Sequence, residues 1–143
     1  MNERILVPYD DSGPARYALK EALEAFNADE IILLHVVDTA DFTHGPEGGA
    51  AESLYEAKKE DAMELFEEAQ NAADEYNVSL ETVLETGQPA EEIIRYAKAN
   101  DIDHIVIGSH GRSGLSRILL GSVAERVLRN APVSVMIARR ANE

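Results

Sequence analysis

The run EIILLHVVD, Glu30 to Asp38, is nearly continuously apolar over nine residues. A strand with one wet face alternates apolar and polar residues. A run without alternation needs cover on both faces, and a parallel sheet layered between helices supplies it. A second such run, DHIVIGS, spans Asp103 to Ser109. Shorter β-rich runs stand at each end of the chain: ERILVPYD (Glu3 to Asp10) and VSVMIAR (Val133 to Arg139). VSLETVLETG, Val78 to Gly87, reads as a further strand.

The segments between these strands carry helical spacing. Ser12, Gly13 and Pro14 form a helix start, with Pro near the first helical position. Ala15, Ala18, Leu19, Ala22, Leu23 and Phe26 then share one face. TADFTHGPEGG reads as a loop. Residues 51 to about 76 form a long helix, with Leu54, Ala62, Leu65, Ala69, Ala72 and Tyr76 as its apolar stripe and its acids as a solvated face. Pro89 opens a helix bearing Ile93, Ile94 and Ala97, with Glu91 and Glu92 at its positive end. A last helix starts at about Leu115 or Gly121 and runs to Asn130, where Pro132 stops it. The pattern is βαβαβαβαβ in 143 residues. It predicts one α/β domain over residues 1–143, a doubly wound parallel sheet with helices on both faces. In such sheets ligands bind beyond the carboxyl ends of the strands, at the switch in strand order. Asp10 and Asp11, Val36 to Asp38, Thr86 to Gln88 and the loop after strand four stand at those ends.

That last loop carries the chemistry. VIGSHGRSGLSRILLGSVAERV, residues 106 to 127, contains Gly108, Gly111, Gly114 and Gly121. It matches neither the dinucleotide fingerprint nor the Walker pattern, because no Lys follows the glycines. Glycine still allows positive φ and close approach of a ligand to backbone. Successive amides in such turns form an anion-binding nest. Ser122 lies at the start of the last helix, where free N–H groups and the dipole favour an anion. Arg112 and Arg117 add positive charge in a chain with 13 basic residues against 27 acidic ones.

The spacing Gly108-x2-Gly111-x9-Gly121-Ser122 resembles the nucleotide-binding signature of the universal stress protein family. ILVPYDDS, LLHVVD and APVSVMIAR extend the resemblance over essentially the whole chain. It implies a five-stranded parallel sheet of order 3-2-1-4-5, adenine nucleotide alpha hydrolase-like. It also implies membership of the subgroup that binds ATP, and a homodimer formed through the last strand, Val133 to Ile137. Residue by residue, Asp10 would face the ribose and the Mg²⁺ carried by the phosphates. The Val36 backbone would read the adenine edge, with Pro8 and Tyr9 along the nucleoside. Gly108, Ser109, His110, Gly111, Arg112 and Ser113 would line ribose and phosphate. Gly121, Ser122 and the Val123 amide would hold the outer phosphates.

Other residues point elsewhere. His110 lacks the nucleophile and positioned partner that a general base needs. His35, inside an apolar strand, reads as a satisfied core histidine. The four histidines show no metal-ligand spacing. Of the adjacent Asp10 and Asp11, one faces the ligand and the other caps the first helix, because neighbours leaving a strand point apart. A metal is expected through the nucleotide rather than an all-protein cage.

The net charge of -14 repels nucleic acid and anionic lipid. With Lys at 20, 58, 59 and 98 only, the acidic surface fits a high-salt cytoplasm or simply an acidic protein. The chain has no cysteine, and its start lacks a secretory pattern, so a cytoplasmic location is expected. Three functions stay open: a nucleotide-holding stress or signalling module, a slow ATPase or phosphotransferase, and a nucleotide-free dimeric scaffold. The adenylates, cyclic AMP included, are not separated by the loop, because its phosphate-holding part is backbone.

Overall fold

The structure is a computed structural model and describes residues 3–26, 28–43, 49–110 and 120–139. In chain order the elements are β1 (Arg4–Pro8), α1 (Gly13–Ala25), β2 (Glu30–Asp38), α2 (Ala40–Thr43), α3 (Gly49–Ala73), β3 (Ser79–Gly87), α4 (Pro89–Ala99), β4 (His104–Gly108), α5 (Ser122–Asn130) and β5 (Ser134–Ala138). The strands form one parallel sheet of order β3-β2-β1-β4-β5. This is the expected topology.

Two apolar layers sandwich the sheet. Side chains of odd-numbered residues in β1 and β2 (Ile5, Val7, Ile31, Leu33) join α1 and α3. Even-numbered ones (Leu6, Ile32, Leu34) join α4 and α5. The period of two thus sorts one continuous apolar run into two cores. Ile5, Leu6, Val7 and Ile31 to Leu33 are completely buried.

Local details depart from the expectations in four places. The helix α1 is capped by Ser12, whose Oγ accepts from the Ala15 N–H at 3.2 Å. Asp11 instead pairs with Arg16 at 2.6 Å, so the cap is neither aspartate. The segment read as a loop after β2 contains α2, and Asp38 Oδ1 accepts from its Ala40 N–H at 2.9 Å. The buried stripe of α3 is Ala62, Phe66, Ala69 and Ala73. This is the 4-3-4 rhythm of a straight helix, and Ala72 lies outside it, exposed. Among the acids of α3, Glu68 is not merely solvated. It accepts from the Tyr9 hydroxyl and from Arg16 Nε, each at 2.9 Å.

Candidate functional site

The ladder between β1 and β2 ends early. Pro8 is the last paired residue of β1, opposite Leu34, and the Tyr9 N–H closes the ladder on the Leu34 carbonyl at 2.8 Å. The Tyr9 carbonyl then turns to the His35 ring, whose Nδ1 lies at 2.8 Å. A carbonyl only accepts, so Nδ1 carries the proton. β2 meanwhile runs on to Asp38, paired with β3 alone. In a parallel strand, alternate residues aim both backbone groups at the same neighbour. Leu34 aims at β1, and Thr39 aims at β3, donating to the Gly87 carbonyl at 3.1 Å. Val36 has the parity of Leu34. Its N–H and C=O therefore face the space that β1 has vacated.

That space is a cleft of about 620 Å³ at the carboxyl ends of β1, β2 and β4. Of the residues named from the sequence, Pro8, Tyr9, Asp10 and Val36 line it on the β1–β2 side. Gly108, His110, Gly121, Ser122 and Val123 line it on the β4–α5 side. Tyr9 lines it while its side chain is held in a core layer. Its ring is buried in the α1–α3 layer, and its hydroxyl is held by Glu68. Burial and that carboxylate push the Tyr9 phenol far above its ordinary value. Arg16 in turn pulls the Glu68 carboxyl down. Ser109 lies just beneath the cleft wall, buried, with its Oγ 3.2 Å from His110 Nδ1. Gly111, Arg112, Ser113, Gly114 and Arg117 lie outside the described residues.

The glycines work differently from the sequence reading. Gly87, the last residue of β3, is the described glycine with a positive φ, 156°. At Gly108 a Cβ would stand 2.7 Å from the carbonyl carbon and oxygen of Pro14. The missing side chain lets β4 abut the first turn of α1, a packing role beside its place in the cleft wall. At Gly121 φ is -65°, open to any residue, but a Cβ would meet His110 Cα at 3.0 Å. The Gly121 N–H is already committed to the Ser109 carbonyl at 2.8 Å. It is thus not an anion donor. The free donors start one residue later. Gly121 is the N-cap of α5 and has no side chain to close the helix. The Ser122, Val123 and Ala124 amides precede the first intrahelical bond, Glu125 N–H to the Gly121 carbonyl at 2.9 Å. With the Ser122 hydroxyl they form the donor set that a phosphate group fits.

Asp10 lines the opposite wall, and one of its oxygens accepts from Ser12 Oγ. No group of three His, Asp or Glu gathers to hold a metal among the described residues. A single carboxylate on the wall opposite that donor set would suit an ion that arrives with its own phosphate ligands and waters. Asp38, placed at a strand end by the sequence, also lines the cleft, and two further lining residues had no role in the sequence reading: Asp41 and Lys58. Lys58 comes from α3 and pairs with Asp41 of α2 at 3.2 Å. Neither lies near the glycine spacing, so only the packing of α2 on α3 reveals them. His35, expected in the core, is half-buried and faces the cleft.

Against protein families, residues 1–139 match the universal stress protein family model. The chain belongs to the universal stress protein family. A universal stress protein of Methanocaldococcus jannaschii is 37% identical over 141 residues, which cover 96% of this chain and 82% of that protein. The solved structure of the hypothetical protein MJ0577 superposes with a TM-score of 0.87 at 32% identity, covering 100% of this chain and 99% of that one. A family member from Arabidopsis thaliana solved with AMP bound has a TM-score of 0.70 at 22% identity, covering 98% and 94% of the two chains. A universal stress protein in complex with cAMP has a TM-score of 0.67, also at 22%, covering 94% and 95%. The family and the fold thus agree with the resemblance read from the glycine spacing.

Proposed function

We propose that this chain holds an adenine nucleotide, ATP among them, in the cleft between the ends of β1 and β4, as a stress-response or signalling module. The carrying observation is the pairing of two recognition surfaces across one cleft. Val36 presents one N–H and one C=O, the complement of adenine's N1 acceptor and N6 donor. Guanine presents the reverse pattern on that edge and is disfavoured. The open first turn of α5 begins beyond β4, two strand spacings from β2 or about 10 Å. A nucleoside bridges that span, so base and phosphate reach their donors together. The AMP and cAMP complexes of the same fold support an adenine ligand. The Mg²⁺ would arrive on the phosphates, with Asp10 as its protein-side carboxylate.

The test is calorimetry with ATP·Mg²⁺, AMP and GTP. ATP binding is expected, with GTP weaker. Ser122→Ala should weaken ATP by roughly tenfold, the size of a hydrogen bond to a charged group, without lowering the melting temperature. The absence of binding heat and of any ligand-induced stabilisation refutes the reading. Nucleotide retained by the purified protein, identified by mass spectrometry, names the adenylate. Asp10, facing the cleft, also favours a slow hydrolytic reading. Its activity must fall in Asp10→Ala and Ser122→Ala, since turnover surviving both belongs to a contaminant.

A further inference from the structure

The base end of the cleft has a shortage of donors. Asp38 and Asp41 line it as carboxylates, and Val37, Pro89 and Ile93 contribute apolar surface. His35 commits its Nδ1–H to the Tyr9 carbonyl, so that proton is not available to a ligand. Lys58 is the lysine or arginine that lines the cleft among the described residues. Its side chain is 28% exposed and its ammonium is tied to Asp41 at 3.2 Å. Asp41 itself sits on α2, which is held in place twice. Asp38 caps it at 2.9 Å, and the Phe42 ring packs against Tyr55 of α3, 6.2 Å between centroids. Lys58 is therefore positioned at the end of β2 rather than sweeping through solvent. An ammonium has three donors, and one carboxylate oxygen leaves it others to give.

We propose that Lys58 is a nucleoside-binding residue, donating to a purine ring nitrogen on the base whose N1–N6 edge faces Val36. This rests on the adenine-nucleotide reading and extends it. A purine in that pose keeps N3 and N7 as acceptors. Placed against Asp38 and Asp41, they would face further acceptors. Lys58 is the group at this end that turns the mismatch into a bond. Its place beside β2, rather than at the start of α5, makes it a contact of the nucleoside and not of the phosphates.

Isothermal calorimetry on the full chain tests this with adenosine, AMP and ATP·Mg²⁺, in the wild type and in Lys58→Met. Adenosine has no charge, so its response separates a contact from a distant counter-charge. The expected result is a loss of about tenfold for all three ligands. In the wild type, 7-deazaadenosine or 3-deazaadenosine should bind weaker by a similar factor, and Lys58→Met should remove that difference. Adenosine affinity unchanged within about twofold in Lys58→Met overturns the proposal, as does full affinity for both deaza analogues. A wild type that binds none of the three ligands refutes the adenine-nucleotide reading itself, and this proposal with it. A melting curve verifies folding. If Lys58→Met is unfolded, Lys58→Gln replaces it, with the same expected order of affinities.

Discussion

Gly108→Ala separates a packing glycine from a ligand-binding one. The new Cβ would stand 2.7 Å from two backbone atoms of Pro14 and 2.8 Å from its Cβ, where ordinary contact begins at 3.4 Å. About 0.7 Å must therefore be found by moving β4 or α1. Neither moves cheaply. Pro14 sits in the first turn of a helix capped by Ser12, and Ala15, Ala18, Leu19 and Ala22 bury that helix against the sheet. On the other side Gly108 is in register with Ala138 of β5. Overpacking a rigid site costs about 1–3 kcal/mol, and a clash with backbone belongs at the upper end, about 3 kcal/mol. At about 2–4 °C per kcal/mol for a domain near this size, the melting temperature should fall by about 6–12 °C. Circular dichroism melts with a parallel urea titration measure it. ATP affinity, measured well below the melting temperature, should fall less in Gly108→Ala than in Ser122→Ala. A melting temperature within about 2 °C of wild type, or the reverse order of affinities, refutes the reasoning.

Three other outcomes follow from the same structure. Arg16 and Tyr9 hold the Glu68 carboxyl below its usual 4.5, so their bonds contribute fully above that pH and are lost as pH falls through the lower folded value. Glu68→Gln should thus flatten the acid limb of the stability curve, and an unchanged limb in urea titrations would contradict this. Self-repulsion from the -14 net charge should make the melting temperature rise with KCl as screening grows, whereas a flat response to molar salt removes both that term and the high-salt reading. β5 is an edge strand whose Val135, Met136 and Ile137 are only half-buried, a pairing surface without charge, so light scattering should give a dimer mass and a monomer would refute it.

Much of this molecule is legible in one dimension. EIILLHVVD has no alternation, so it demanded cover on both faces, and alternation of strands with helices demanded a parallel sheet. The spacing from Gly108 to Ser122 marked the β4–α5 wall of the cleft. Those signals are local, since they depend on neighbours within a few residues or on a fixed interval along the chain. What tertiary structure decided is what each group touches. Whether Gly108 serves a ligand or a helix depends on Pro14, 94 positions earlier. Gly121 loses its amide to the Ser109 carbonyl, a contact that no local pattern marks. The cap of α1 passed from the aspartates to Ser12 through a choice among three adjacent polar residues that differ by one step of backbone. His35 became a cleft residue because β1 ends at Pro8 and leaves the Tyr9 carbonyl to be satisfied. Lys58 enters the cleft from a helix that carries no signature at all, through an ion pair with Asp41. Periodicity places residues on faces and at strand ends. Which atoms then meet is set by packing between distant segments, and that is where the β2 end of this cleft was made.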